Sequence, residues 1–102
     1  LVMVARIDAS TDALRAMCDA LRDKYANGVA LLAGVSDGKV AIAAGVGKDA
    51  VAAGVRAGDL VKVAAKICGG GGGGRPDSAT AGGRDASKLG EALAAVKETL
   101  KA

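Results

Sequence analysis

The sequence predicts an α/β domain: a small mixed β-sheet packed by about three helices, in the order β-α-β-β-α-(β)-α. Three observations carry that reading. Short β-branched apolar runs alternate with segments whose apolar residues recur at helical spacing. An Asp-Gly pair stands between two such runs, where a hairpin turn belongs. Hydrophobic residues make up 51% of the chain but only one is aromatic, Tyr25, so the core is built from small aliphatic side chains. At 102 residues the chain is long enough for one domain and not two. It starts at Leu1, inside an element and without an initiator Met, so residues 1–102 read as a single domain, a fragment of a longer chain.

The first strand is Val2 to Ile7, bounded by Asp-Ala-Ser-Thr-Asp. Leu14, Met17, Cys18, Leu21 and Tyr25 then mark one face of a helix, capped by Ser10, Thr11 or Asp12 and stopped at Asn27-Gly28. Its phase places Tyr25 in the core. Val29 to Val35 and Val40 to Val46 form a hairpin across Ser36-Asp37-Gly38-Lys39, because Asp and Gly tolerate positive φ. Gly47 to Ala57, rich in Ala, Val and Gly, reads as an irregular turn or a short helix. Asp59 caps the next helix, with Leu60, Val63, Ala64 and Ile67 on one face and Gly69 at its end. After the glycine run, Ser78 to Ala81 makes a short strand. Ser87 caps a last helix with Leu89, Ala92, Leu93, Val96 and Leu100 inward.

Charge is uneven along the chain. Residues 1–37 carry four bases and five acids, whereas residues 38–88 carry eight bases and four acids. The excess of base lies in the segment that holds the glycine run, which suits either an anionic partner or an ordinary solvated surface. Cys18 and Cys68 read as buried free thiols in a reducing cytoplasm. There is no run of eighteen apolar residues to span a membrane, and LVMVARID reads as a strand with no basic lead for a signal peptide.

Several chemistries are excluded by composition. The chain has no histidine, so Ser-His-Asp, Cys-His and His-based metal sites are out. Asp8 with Asp12, and Asp19 with Asp23, read as solvated carboxylates on an exposed helix face. The glycine run lacks the Gly-Lys-Ser/Thr ending of a phosphate-binding Walker A loop. It also follows a helix rather than a strand, unlike a dinucleotide fingerprint. No catalytic residue, metal or cofactor is expected in this chain.

The run itself, Gly69 to Gly74, ends in Arg75-Pro76-Asp77, and Gly82-Gly83-Arg84 repeats the theme. A glycine-rich loop of this kind fits a flexible tether, a tightly packed structural loop, or a cradle whose consecutive N–H groups meet one anion. In the last case Gly70, Gly71, Gly72, Gly73, Gly74, Gly82 and Gly83 supply backbone. Arg75, Arg84, Lys88 and Lys48 then supply charge.

Glycines followed by Arg75-Pro76-Asp77, then Ala81-Gly82-Gly83 and a helix from Lys88-Leu89, resemble the C-terminal globular domain of alanyl-tRNA synthetases, of the DHH-associated type. Ala44-Gly45-Val46 after a hairpin, and Ala57-Gly58-Asp59-Leu60-Val61 opening a helix, are similar to the same pattern. The likeness covers essentially the whole chain and is most specific over residues 69–85. In related phosphoesterases a Gly-Gly-His motif faces the nucleotide. Here Arg75 follows the glycines, a departure that favours the synthetase branch.

The resemblance implies a non-catalytic, cytoplasmic tRNA-binding module. It would contact the outer corner of alanine tRNA, where the D and T loops meet, and help couple aminoacylation to editing. Those centres, with ATP, magnesium and zinc, would lie in other domains of the parent synthetase, which are its second class of partner. With Tyr25 in the core, stacking on RNA would fall to an Arg plane or an aliphatic surface, so binding alone should be weak and salt-dependent. Two alternatives stay open: a nucleotide-binding accessory domain of a DHH-type phosphoesterase, and a protein-contact or spacer domain.

Overall fold

The computed structural model describes residues 2–101; Leu1, the first letter of the predicted strand segment, lies outside them. Five strands form one mixed sheet. They are β1 (Val2–Arg6), β2 (Val29–Ser36), β3 (Lys39–Val46), β4 (Gly71–Gly74) and β5 (Ser78–Gly83). The helices are α1 (Thr11–Lys24), α2 (Lys48–Ala52), α3 (Ala57–Ile67) and α4 (Leu89–Lys101), with a 3-10 turn at Ala86–Lys88 before α4. The predicted mixed α/β order is therefore present, with Gly47 to Ala57 resolved as the short α2 and a turn. The strand order is β1-β2-β3-β5-β4, parallel between β1 and β2 and antiparallel elsewhere.

The β2–β3 hairpin forms as its sequence dictates, with Asp37 at φ 52° and Gly38 at φ 76°. Both faces of β2 and β3 are buried, which is why their sequences run apolar without alternation. One face, with Leu31, Ile42, Ala44 and Val46, packs on Leu60, Val61 and Ala64 of α3 and on Leu89, Ala92 and Val96 of α4. On the other, Ala30, Leu32, Ala41 and Ala43 pack on Leu14 and Cys18 of α1. The close approach of α1 requires Gly45: a Cβ there would lie 2.5 Å from the Cys18 carbonyl oxygen.

Five expectations are corrected. The glycine run is not a loop: Gly71 to Gly74 are a strand, paired with β5 from Gly71–Gly82 to Gly74–Ala79. Pairing with a partner strand orders a segment whose own propensity is low. Asp59 is not the cap of α3. The helix starts at Ala57, whose amide donates to the Pro76 carbonyl at 2.7 Å, so tertiary contact does the work of a capping side chain. Asp85, not Ser87, caps the turn into α4; it accepts from the Ser87 amide and hydroxyl. On α1, Leu14 and Cys18 are buried, Met17 is exposed, and Tyr25 is the half-buried C-cap with the Lys24 ammonium 5.5 Å from its ring centre.

Asp12 and Asp23 are exposed on α1 as expected, whereas Asp8 and Asp19 depart from the solvated helix face. Asp8 precedes α1; a hydrogen bond from the Arg6 guanidinium and one from the Val35 amide, both at 3.0 Å, hold its carboxyl below the usual range. Asp19 accepts from the Ser78 hydroxyl at 3.0 Å and so ties α1 to β5. Cys18 and Cys68 are buried free thiols; burial pushes Cys18 up to about 11, which leaves it uncharged and unreactive. None of the described helices is long and apolar enough to cross a membrane.

Candidate nucleic-acid interface

β4 is an edge strand made only of glycine, and its environment divides those glycines into two kinds. The Arg75 backbone amide donates to the Ser78 carbonyl at 2.9 Å, which closes the β4–β5 turn and sets the phase of the ladder. By alternation Gly73–Thr80 and Gly71–Gly82 are hydrogen-bonded pairs, while Gly72–Ala81 and Gly74–Ala79 are the narrow, non-hydrogen-bonded ones. At the narrow pairs there is no room for a side chain. A Cβ on Gly72 would overlap Ala81, and one on Gly74 would lie 2.8 Å from the Ala79 Cα. Gly70 and Gly83 are equally confined, against the Gly82 carbonyl and Cys68.

Gly71 and Gly73 are different. A Cβ at Gly71 meets nothing within 4 Å, and one at Gly73 meets only the Lys62 Cε at 3.6 Å. Gly82, opposite Gly71, has a nearest contact of 3.4 Å. Packing does not require glycine at these three positions. Together they leave a bare patch of backbone about 10 Å long, taking roughly 3.4 Å per residue along β4. The amides of Gly72 and Gly74 point to the free edge of the sheet, again by alternation of the ladder.

Cations stand at both ends of this patch. At one end Arg75 and Arg15 border a concavity floored by Gly73, Gly74, Ser78 and Thr80. At the other, Lys39 and Arg84 border one floored by Gly70, Gly71, Gly82 and Gly83. Arg75 is largely exposed, and its guanidinium makes an ion pair with Asp77 at 3.9 Å without hydrogen-bond geometry. Among the described residues, Arg84 and Lys39 have no carboxylate within 4.0 Å. The Arg84 backbone is fixed, since its amide and that of Asp85 both donate to the Cys68 carbonyl at 2.9 Å. Such a surface offers guanidinium forks and unshielded amides to an anion, and a flat floor to a sugar-phosphate chain.

The structure thus brings together Gly70 to Gly74, Arg75, Gly82, Gly83 and Arg84. Lys48 is elsewhere, at the start of α2, beside Arg22 and Asp77 in a separate concavity. Lys88 is exposed on the 3-10 turn and borders neither end of the patch. Arg15, Lys39 and Thr80 escape a reading of the sequence. Lys39 reaches the site because Val40 pairs with Gly83, a long-range pairing with no local signal. Among the described residues no group of three His, Cys, Asp or Glu side chains is placed to hold a metal ion.

The DHHA1 domain matches residues 1–102, the whole chain. The chain belongs to the DHHA1 domain family. Within it, this DHHA1 domain is similar to alanine–tRNA ligases. It is 56% identical over 88 residues to that of Bacillus pumilus (strain SAFR-032), covering 86% of this chain and 10% of the ligase. It is 50% identical over 101 residues to that of Bacillus subtilis (strain 168), covering 98% of this chain and 12% of the ligase. The chain therefore spans about a tenth of the length of these curated relatives. Its fold matches the C-Ala domain of Aquifex aeolicus alanyl-tRNA synthetase with a TM-score of 0.86 at 29% identity, over 99% of this chain and 91% of that one. The family likeness read from residues 69–85 thus extends to the whole fold.

Proposed function

We propose that this DHHA1 domain is a non-catalytic tRNA-binding module of an alanine–tRNA ligase. The observation that carries the reading is the bare glycine patch of β4 and β5, bordered by cations at both ends, in a domain whose relatives are alanine–tRNA ligases. RNA is recognised by shape and by phosphate and 2′-hydroxyl contacts, which need a surface that lets the sugar-phosphate chain approach closely. Glycines with no side chain at Gly71, Gly73 and Gly82 permit that approach. Arg15, Lys39, Arg75 and Arg84 neutralise phosphates, and Lys48 and Lys88 add to the field at longer range.

In this reading the outer corner of the tRNA is the target, and aminoacylation and editing, with ATP, magnesium and zinc, belong to other parts of a longer cytoplasmic enzyme. Few contacts give weak binding alone; tethering to the rest of the enzyme raises the effective concentration and couples its centres through one bound tRNA. Fluorescence anisotropy with labelled alanine tRNA tests it. Binding should weaken with salt with a slope of roughly −3 in log K against log salt, for four neutralised phosphates. An acceptor-stem minihelix lacking the elbow should compete poorly. Equal competition by the minihelix, or a slope near zero, would exclude this role.

A further inference from the structure

Arg15 stands on α1, away from the glycine motif in sequence, yet it shares a concavity with Arg75. The two are joined by a line of alternating charge. Arg15 Nε lies 4.0 Å from Asp19 Oδ2, and Asp19 Oδ1 lies 3.5 Å from Arg22 Nη1. Arg22 Nη1 lies 3.6 Å from Asp77 Oδ2, and Asp77 Oδ1 lies 3.9 Å from Arg75 Nε. The line runs along α1 from Arg15 to Arg22 and crosses from there to Asp77 and Arg75 in the β4–β5 turn. Both of its free ends open on the same floor of Gly73, Gly74 and Thr80.

The separations decide what the line does. At 3.9–4.0 Å the terminal contacts are ion pairs without hydrogen-bond geometry, so Arg15 and Arg75 keep donors for another anion. Both are more than half exposed, whereas Arg22 between them is 21% exposed and held by Asp23 as well. Asp19 is anchored in turn by the Ser78 hydroxyl at 3.0 Å. Asp19 and Arg22 are held in place, Asp77 bridges Arg22 to Arg75, and the two outer guanidinium groups are available. Thr80 Oγ1 makes no side-chain hydrogen bond among the described residues and lies on the same floor.

The geometry points to a phosphodiester subsite between Arg15 and Arg75, in which Asp19 and Asp77 are positioning residues that hold the two guanidinium groups across one phosphate. This rests on the RNA-binding reading above. The aspartates act through the arginines and touch no ligand, so removing one costs more in lost orientation than it gains in reduced repulsion.

That balance gives the test its sign. In anisotropy titrations of alanine tRNA, Arg15→Gln should weaken binding about fivefold to tenfold and make the salt slope shallower by about 1. Asp19→Asn removes a negative charge, so general electrostatics predicts tighter binding; positioning predicts binding weaker by about threefold in a domain that circular dichroism shows still folded at the assay temperature. In an Arg15→Gln background Asp19→Asn should cost nothing further. Asp77→Asn provides the same comparison from the other end if Asp19→Asn unfolds the domain. Tighter binding by the Asp→Asn variants overturns the positioning role. Unchanged binding by Arg15→Gln, with Arg84→Gln weakened, overturns the subsite and leaves the RNA reading standing. Unchanged binding by Arg15→Gln, Arg75→Gln and Arg84→Gln alike overturns both.

Discussion

Gly72→Ala should destabilise the domain, while Gly71→Ala, one residue away, should not. The two glycines share a strand, a composition and a negative-φ backbone, and differ in what a Cβ would meet. At Gly72 it would overlap Ala81 and the Thr80 carbonyl across the narrow pair. β4 must then shift or detach, at about 1–3 kcal/mol, the usual range for overpacking. For a domain of this size that lowers Tm by roughly 5–20 °C. At Gly71 the space is open, and the smaller entropy of the unfolded chain should stabilise the fold by about 0.4–1 kcal/mol. Urea unfolding of the two variants measures the difference. Gly71→Val extends it to function: the domain should fold normally and bind tRNA more weakly, because a side chain then stands on the patch. Equal destabilisation by Gly71→Ala and Gly72→Ala would mean that β4 is not paired in this register.

The largest effect on binding is expected from Arg75→Gln combined with Arg84→Gln. The two arginines sit at opposite ends of β4, share no ion-pair partner and border different concavities, so their losses should add. If each meets one phosphate, each is worth about tenfold in affinity, or about 1.4 kcal/mol. The double variant should therefore bind tRNA about a hundredfold more weakly. Its salt slope should be shallower by about 2, as two fewer counterions are released. Lys88→Gln serves as the comparison: its side chain borders neither concavity, and its loss should cost less than threefold. A double variant no weaker than Lys88→Gln would show that charge acts through net field and not through this surface.

The elements that could be read in the sequence are those whose signals are local. The β2–β3 hairpin follows from Asp37-Gly38 between two apolar runs, and α4 from the spacing of Leu89, Ala92 and Val96. Helix starts were misplaced where the satisfying partner is distant in sequence, as with the Pro76 carbonyl that receives the Ala57 amide. The glycine run hid a strand for a related reason. Glycine has no strand propensity to display, and β5 confers the order. Arg75, Arg84 and the glycines were legible because they are contiguous. Arg15 and Lys39 were not, because only the strand order β3-β5-β4 and the packing of α1 bring them to the patch. Lys48 has the right charge but the wrong place, which linear charge counting has no means to detect.

In the proposed function the β4–β5 glycine patch is the surface that meets tRNA. Amide chemical shifts of the 102-residue domain, followed during titration at low salt with alanine tRNA and with an acceptor-stem minihelix, test it most directly. Shifts are expected at Gly71, Gly73, Thr80, Gly82 and Arg84 with the full tRNA and none with the minihelix. Shifts confined to the apolar groove beside β1, at Val2, Met3 and Tyr25, would move the RNA site off the glycine patch, and no shifts at all with tRNA would favour a protein-contact domain.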